Sequence, residues 1–152
     1  MLFSIKITSE NDEVIEIGKE EKPDEQNVIT NVEILMDTVE NEVSNKSNAM
    51  LAKIKIFGEI KAEIKSELLK LFEWSKASSE EEWYRTLEIK IKIAKDKNYR
   101  SYKIAKVFVV DYFEIYKGES LRSKNSNNIE DRDHFELYLT QKENNFDNIE
   151  AG

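Results

Sequence analysis

Apolar and charged side chains swap at every step of Leu87-Glu88-Ile89-Lys90-Ile91-Lys92-Ile93. Successive side chains of a strand point to opposite faces, so this alternation predicts a strand with one apolar and one charged face. The same rhythm recurs in Phe3-Ser4-Ile5-Lys6-Ile7-Thr8, Val32-Glu33-Ile34 and Phe135-Glu136-Leu137-Tyr138-Leu139. Such stretches predict a mainly β protein built on one-sided antiparallel sheet.

The first hairpin runs from Phe3 to Thr8, turns through Ser9-Glu10-Asn11-Asp12 and returns from Glu13 to Ile17. Ser, Asn and Asp suit the turn because their side chains bond nearby backbone groups. Gly18 to Asn27 is a polar loop holding the only proline, Pro23. Ile29 to Ile34 reads as a strand, Asp37 to Asn48 as a long polar loop with Val39 and Val43 isolated in it. Met50 to Ile56 alternates again, with Ala52, Ile54 and Ile56 on one side; Gly58 reads as a break, or else Gly58-Glu59-Ile60 continues the strand.

From Ile60 the period changes. Ile60, Ile64, Leu68, Leu71 and Phe72 recur mostly at three and four residues, the stripe of an amphipathic helix over Lys61 to Ser75. Ser78 to Glu82 reads either as a capped helical turn or as a loop. Trp83 to Ala94 is then a long strand and Lys95 to Asn98 a polar turn. Tyr99 to Tyr116 is one long bent strand or two, rich in aromatic and β-branched residues. Val107-Phe108-Val109-Val110 is apolar on both faces, which predicts a central strand. Gly118 to Asp133 is a polar loop, His134 to Lys142 the last strand, and Glu143 to Gly152 a polar tail with Phe146 and Ile149 as anchors.

A length of 152 residues suits a single domain over 1–152. With 36% charged and 39% hydrophobic residues, a small antiparallel β-barrel or sandwich flanked by one α-helix is the expected architecture. The net charge of −8 argues against specific nucleic-acid binding through phosphate contacts. The absence of cysteine excludes disulfides and thiolate chemistry. The first residues lack the basic and apolar regions of a signal peptide, and no stretch reaches the roughly 20 apolar residues of a membrane helix. Cytoplasmic synthesis without a secretory signal or membrane anchor is the expectation.

The strongest candidate for hydrolytic or metal chemistry is Asp131-Arg132-Asp133-His134-Phe135-Glu136. Alternation along a strand splits it, with Asp131, Asp133 and Phe135 on one side and His134 and Glu136 on the other. His134 is the only histidine, so no second imidazole can join it. Four scattered glycines form no phosphate loop. Glu80-Glu81-Glu82 reads as hydrated surface, and Trp74 and Trp83 as packing where helix meets sheet. No catalytic residue, cofactor or metal is expected. Lys90 and Lys92 are expected to pair with acids on neighbouring strands. Long strands also leave open edges, which invite pairing with another subunit unless blunted.

The order of strand-rich N-terminus, one helix and long strands resembles the tube-forming proteins of contractile injection machines. These are phage tail tube proteins and the Hcp tube protein of type VI secretion. The likeness begins at Ser66-Glu67-Leu68-Leu69-Lys70-Leu71-Phe72, which is similar to the family's short helix. It continues in Thr86 to Ile91 and Tyr102 to Tyr112, which resemble the paired strands, and in Phe135 to Lys142, which resembles the closing strand. The helix and the Gly118 to Asp133 loop are longer than in the family pattern. The resemblance implies rings, commonly hexamers, that stack into a tube and work with sheath, baseplate or spike proteins in a virion-like or injected particle. It also implies a long loop reaching a neighbouring subunit. Asp37 to Asn48 is the candidate, with Asp37, Val39, Glu40, Val43, Asn45 and Lys46 as interface residues. The alternative is a monomeric β-sheet adaptor or tail-assembly binding module.

Overall fold

In a computed structural model of the protein, the described residues are 1–19, 21–38, 50–94, 96–118, 131–143, 145 and 148–152. Eight strands form one antiparallel sheet: β1 (Leu2–Ser9), β2 (Val14–Ile17), β3 (Ile29–Thr38), β4 (Met50–Glu59), β5 (Arg85–Ala94), β6 (Lys97–Ile115), β7 (His134–Gln141) and β8 (Ile149–Ala151). Their order is β2-β1-β5-β6-β7-β4-β3, with β8 on β6. The sheet is open, yet it curls until β3 packs against β1. The mainly β class with a flanking helix is therefore correct.

The apolar positions of the alternating strands fill the concavity. Ile5, Ile7, Ile15, Ile17, Ala52, Ile54, Ile56, Leu87, Ile89, Leu137 and Leu139 are all buried in one cluster. A 3-10 turn at Ala62–Ile64 leads into helix α1 (Lys65–Ser75), close to the expected span. Leu68, Leu71 and Trp74 of α1 enter the core, whereas Phe72 stays 42% exposed. The expected stripe had included Phe72; the helix is rotated so that Trp74 takes its place inward. Ser78 to Glu82 resolves as a helical turn, α2 (Glu80–Trp83).

Three expectations need correction. Gly58 does not break a chain segment; it lies inside β4, opposite Phe135. A Cβ there would stand 2.6 Å from the Phe135 ring and 2.8 Å from the Val28 carbonyl oxygen, so the glycine makes room for a buried ring. Register shifts between Ile91, Lys92 and Ala94 reverse the end of the β5 alternation. Lys92 turns inward at 8% exposure while Ile93 is 49% exposed, because an irregular step swaps the faces of every later residue. The polar tail forms β8, pairing Ile149 with Ile104 and Ala151 with Tyr102.

Tyr99 to Tyr116 belongs to one long strand. β6 bends near Lys106, whose φ of 60° lies in the left-handed region, and its register against β7 shifts between Val109 and Asp111. Its first half pairs with β5 as far as Val107, and its second half pairs with β7 from Val107 to Ile115.

Candidate functional site

The cluster at 131–136 serves to hold strand ends together. Asp133 accepts a hydrogen bond from the Lys117 backbone N–H at 2.8 Å, tying β7 to the end of β6. Arg132 Nη1 lies 2.8 Å from Glu59 Oε1 on β4. His134 is buried, with Nδ1 2.9 Å from the Arg132 carbonyl oxygen and Nε2 3.3 Å from Glu136 Oε2. His134 and Glu136 share the outer face, as alternation requires, and Phe135 is buried in the core. Among the described residues, no three His, Cys, Asp or Glu side chains are grouped to hold a metal ion.

The two tryptophans lock α1 to the sheet. Trp74 Nε1 donates to the Trp83 carbonyl at 2.9 Å, and Trp83 Nε1 donates to the Ala77 carbonyl at 2.7 Å. Arg85 is buried with its guanidinium 5.2 Å from the Trp74 ring centroid and Nη2 3.7 Å from Glu13. Burial lowers its pKa from the ordinary value, and the charges of Glu13 and Glu82 oppose that shift.

The outer face of the sheet divides into two halves. Over β2, β1, β5, β6 and β8, the residues Glu16, Lys6, Glu88, Lys103 and Glu150 stand directly opposite one another in turn. Charge alternates along this row, the favourable cross-strand arrangement. Lys90 does not meet the expected acids: its neighbours are Ser4 and Ser101.

Over β4, β7 and the second half of β6, aromatics take over. Tyr138 packs edge-on against Phe57 at 5.8 Å and against Phe113 at 5.9 Å, with Lys55 Nζ 5.9 Å from its ring centroid. Its hydroxyl donates to Glu136 Oε1 at 2.7 Å. That bond first, and burial second, push its pKa up to about 12. Val110 and Phe113 on β6 and Leu35 on β3 lie exposed around this patch.

On the side of β6 that carries Glu114, opposite to that of Phe113, a groove of about 890 Å³ runs between α1 and the end of β6. Ile60, Leu69, Phe72 and Tyr116 supply its apolar wall, and Lys65 and Glu114 also line it. The helix stripe could have revealed Leu69 and Phe72, but nothing local in the sequence places Tyr116 beside them. Of the expected interface residues, Asp37 lies on β3, paired with Lys53 Nζ at 2.9 Å. Val39, Glu40, Val43, Asn45 and Lys46 lie outside the described residues.

The whole architecture has close counterparts. Hcp1 of the E. coli EAEC 042 pathovar, solved as a mutant, superposes with a TM-score of 0.60 at 11% identity, covering 100% of this chain and 98% of its own. Hcp1 of Flavobacterium johnsoniae gives 0.56 at 16% identity, covering 100% and 95%. This is an Hcp-like tube-protein fold. The tube-terminating cap of the anti-feeding prophage also shares it, at a TM-score of 0.50 and 13% identity over 97% of this chain and 87% of the cap. No protein-family model matches the sequence, and no curated protein matches it. The Hcp-like likeness is thus one of backbone architecture, at 11% and 16% sequence identity.

Proposed function

We propose that this chain is a structural subunit that self-assembles into stacked rings, hexameric in the simplest case, forming the inner tube of a contractile injection or phage-tail-like machine. The observation that carries this reading is the Hcp-like fold extending over the entire chain. The exposed aromatic patch and the groove beside α1 support it, since exposed apolar surface on a chain with 36% charged residues marks a contact site. Sheath, baseplate or spike proteins are the further partners. No described helix is long and apolar enough to cross a membrane. The segment from Asp37 to Asn48 is the proposed arm to a neighbouring subunit, and catalysis is no part of the role.

A second reading is a non-polymerising cap or adaptor in such a machine, favoured by the likeness to the tube-terminating cap. Solution mass and negative-stain images of the purified protein separate the two. Rings or tubes are expected of the tube subunit. A monomer over a wide concentration range that binds one partner saturably would replace that reading with the adaptor.

A further inference from the structure

Where β6 parts from β5, the surface opens into a hollow walled by aromatic rings. The ladder between the two strands ends at the pair of Arg85 and Val107. A cavity of about 320 Å³ there is lined by Trp74, Trp83, Tyr84 and Phe108, with Ser75 and Ala77 from the end of α1. Tyr84 stands edge-on to Phe108 at 5.8 Å and to Trp83 at 6.5 Å. Both indole N–H groups are held within the chain, Trp74 by the Trp83 carbonyl and Trp83 by the Ala77 carbonyl. The indoles therefore present π faces to an incoming group and keep no N–H donor for it.

An aromatic hollow takes either an apolar group or a cation, because the ring face is the negative end of a quadrupole. Several observations favour the cation. The same rings already hold two: Lys142 Nζ lies 4.9 Å from the Tyr84 centroid, and the Arg85 guanidinium lies 5.2 Å from that of Trp74. The hollow also adjoins the C-terminal end of α1, the negative end of a helix dipole. Each cation close by has an acid of its own: Lys142 pairs with Glu80, Lys76 with Glu73, and Arg85 with Glu13. Glu82 adds to the field at Arg85. Glu81 and Glu82, both exposed and next to Trp83 in the chain, enter no ion pair among the described residues. Trp83 is 41% exposed, and among the described residues no cation lies over its ring.

We propose that this hollow binds an arginine side chain of a partner protein, its guanidinium laid on the open ring of Trp83 beside Glu81 and Glu82. The cations already seated on these rings are side chains, which points to a side chain as the further occupant. Arginine suits the place better than lysine, because a planar guanidinium stacks on an aromatic face. The inference does not rest on ring formation, so it stands or falls apart from the tube-subunit reading.

The only two tryptophans of the chain both line the hollow, so tryptophan fluorescence reports on it directly. The acetylated, amidated tripeptide Gly-Arg-Gly is titrated at fixed ionic strength against the same peptide with citrulline in place of arginine. Citrulline keeps the shape and loses the charge. The expected result is a saturable change in the millimolar range, with the arginine peptide at least about threefold tighter, the factor of an exposed cation–π contact. Glu81→Gln combined with Glu82→Gln should remove most of that preference, and both positions are exposed, so folding is untouched. Trp83→Leu, read on Trp74, should abolish the saturable response; if that variant does not fold, the glutamate variants decide. Equal affinity for the two peptides, or saturation by neither, overturns the proposal. A preference that survives the glutamate and Trp83 variants also overturns it, by placing the cation elsewhere. Tighter binding of tetramethylammonium than of the arginine peptide overturns the arginine occupant in favour of a small quaternary ammonium.

Discussion

The two halves of the outer sheet face arise from the same alternation and end as opposites. Over β2, β1, β5, the first half of β6 and β8, the outward positions form a row of alternating charge from Glu16 through Lys6, Glu88 and Lys103 to Glu150. Over β4, β7 and the second half of β6, the outward positions hold Phe57, Tyr138 and Phe113, ringed by exposed Leu35 and Val110. A self-paired charge row gains little by leaving water, because its ions would have to shed their hydration. An aromatic patch gains by leaving water, at about 25 cal/mol per Å² of apolar area. Period-two patterning therefore makes a strand one-sided, and the chemistry of the outward set decides whether that side faces solvent or a partner.

The largest effect lies beneath that half. Phe135→Ala removes a fully buried ring and is expected to cost about 3–5 kcal/mol in a denaturant titration. Gly58→Ala attacks the same packing by overfilling it and is expected to cost about 1–3 kcal/mol. Combining Gly58→Ala with Phe135→Leu should recover part of that loss, since the methyl would then have room. Additive losses would show that the Val28 carbonyl is the harder obstacle.

High pH loosens the pairing region of β6 and β7 next, through Tyr138 on the outer face and Tyr112 on the core side. Tyr138 has its pKa raised to about 12, and burial with the Glu114 charge raises Tyr112 further still. Both are raised above the unfolded value of about 10, so their contribution is complete below pH about 10 and is lost as pH climbs through the folded values. Near-ultraviolet absorbance of tyrosinate should therefore show a late fraction of tyrosines ionising together with unfolding. Tyr138→Phe should remove its share of that late absorbance.

The sharpest contrast comes from surface substitutions. Val110→Asp on the aromatic half should leave monomer stability within about 0.5 kcal/mol and abolish the assembled species in mass measurements. Lys6→Glu on the charged half sets like charges between Glu16 and Glu88 and should cost about 0.2–1 kcal/mol per pair. It should leave assembly intact. If the two substitutions exchanged effects, the charged half would be the contact surface.

Much of this was legible before folding. Ile5, Ile7, Ile54, Ile56, Leu87, Ile89, Leu137 and Leu139 are inward because side-chain direction follows from strand period alone, which is a local property. The helix from Lys65 and the packing of Trp74 beneath it follow from the same local reasoning. The inward turn of Lys92 was not legible, because a register shift depends on what lies opposite, and the partner at Asn98 belongs to another strand. The role of Gly58 was hidden for the same reason: the ring it accommodates is Phe135, far along the chain.

One-sided antiparallel sheet, the helix after Ile60 and the inward set of the regularly alternating strands follow from period and polarity within each segment. The strand order, the bend of β6 at Lys106 and the place where its pairing with β5 ends were settled by the folded sheet as a whole. Those features arise from pairing between distant segments, where the gain is shared across the sheet and no short stretch carries its signal. The division of the outer face into a charged row and an aromatic patch is of that second kind. Neighbours across a ladder are chosen by register, and register exists only once the strands have met.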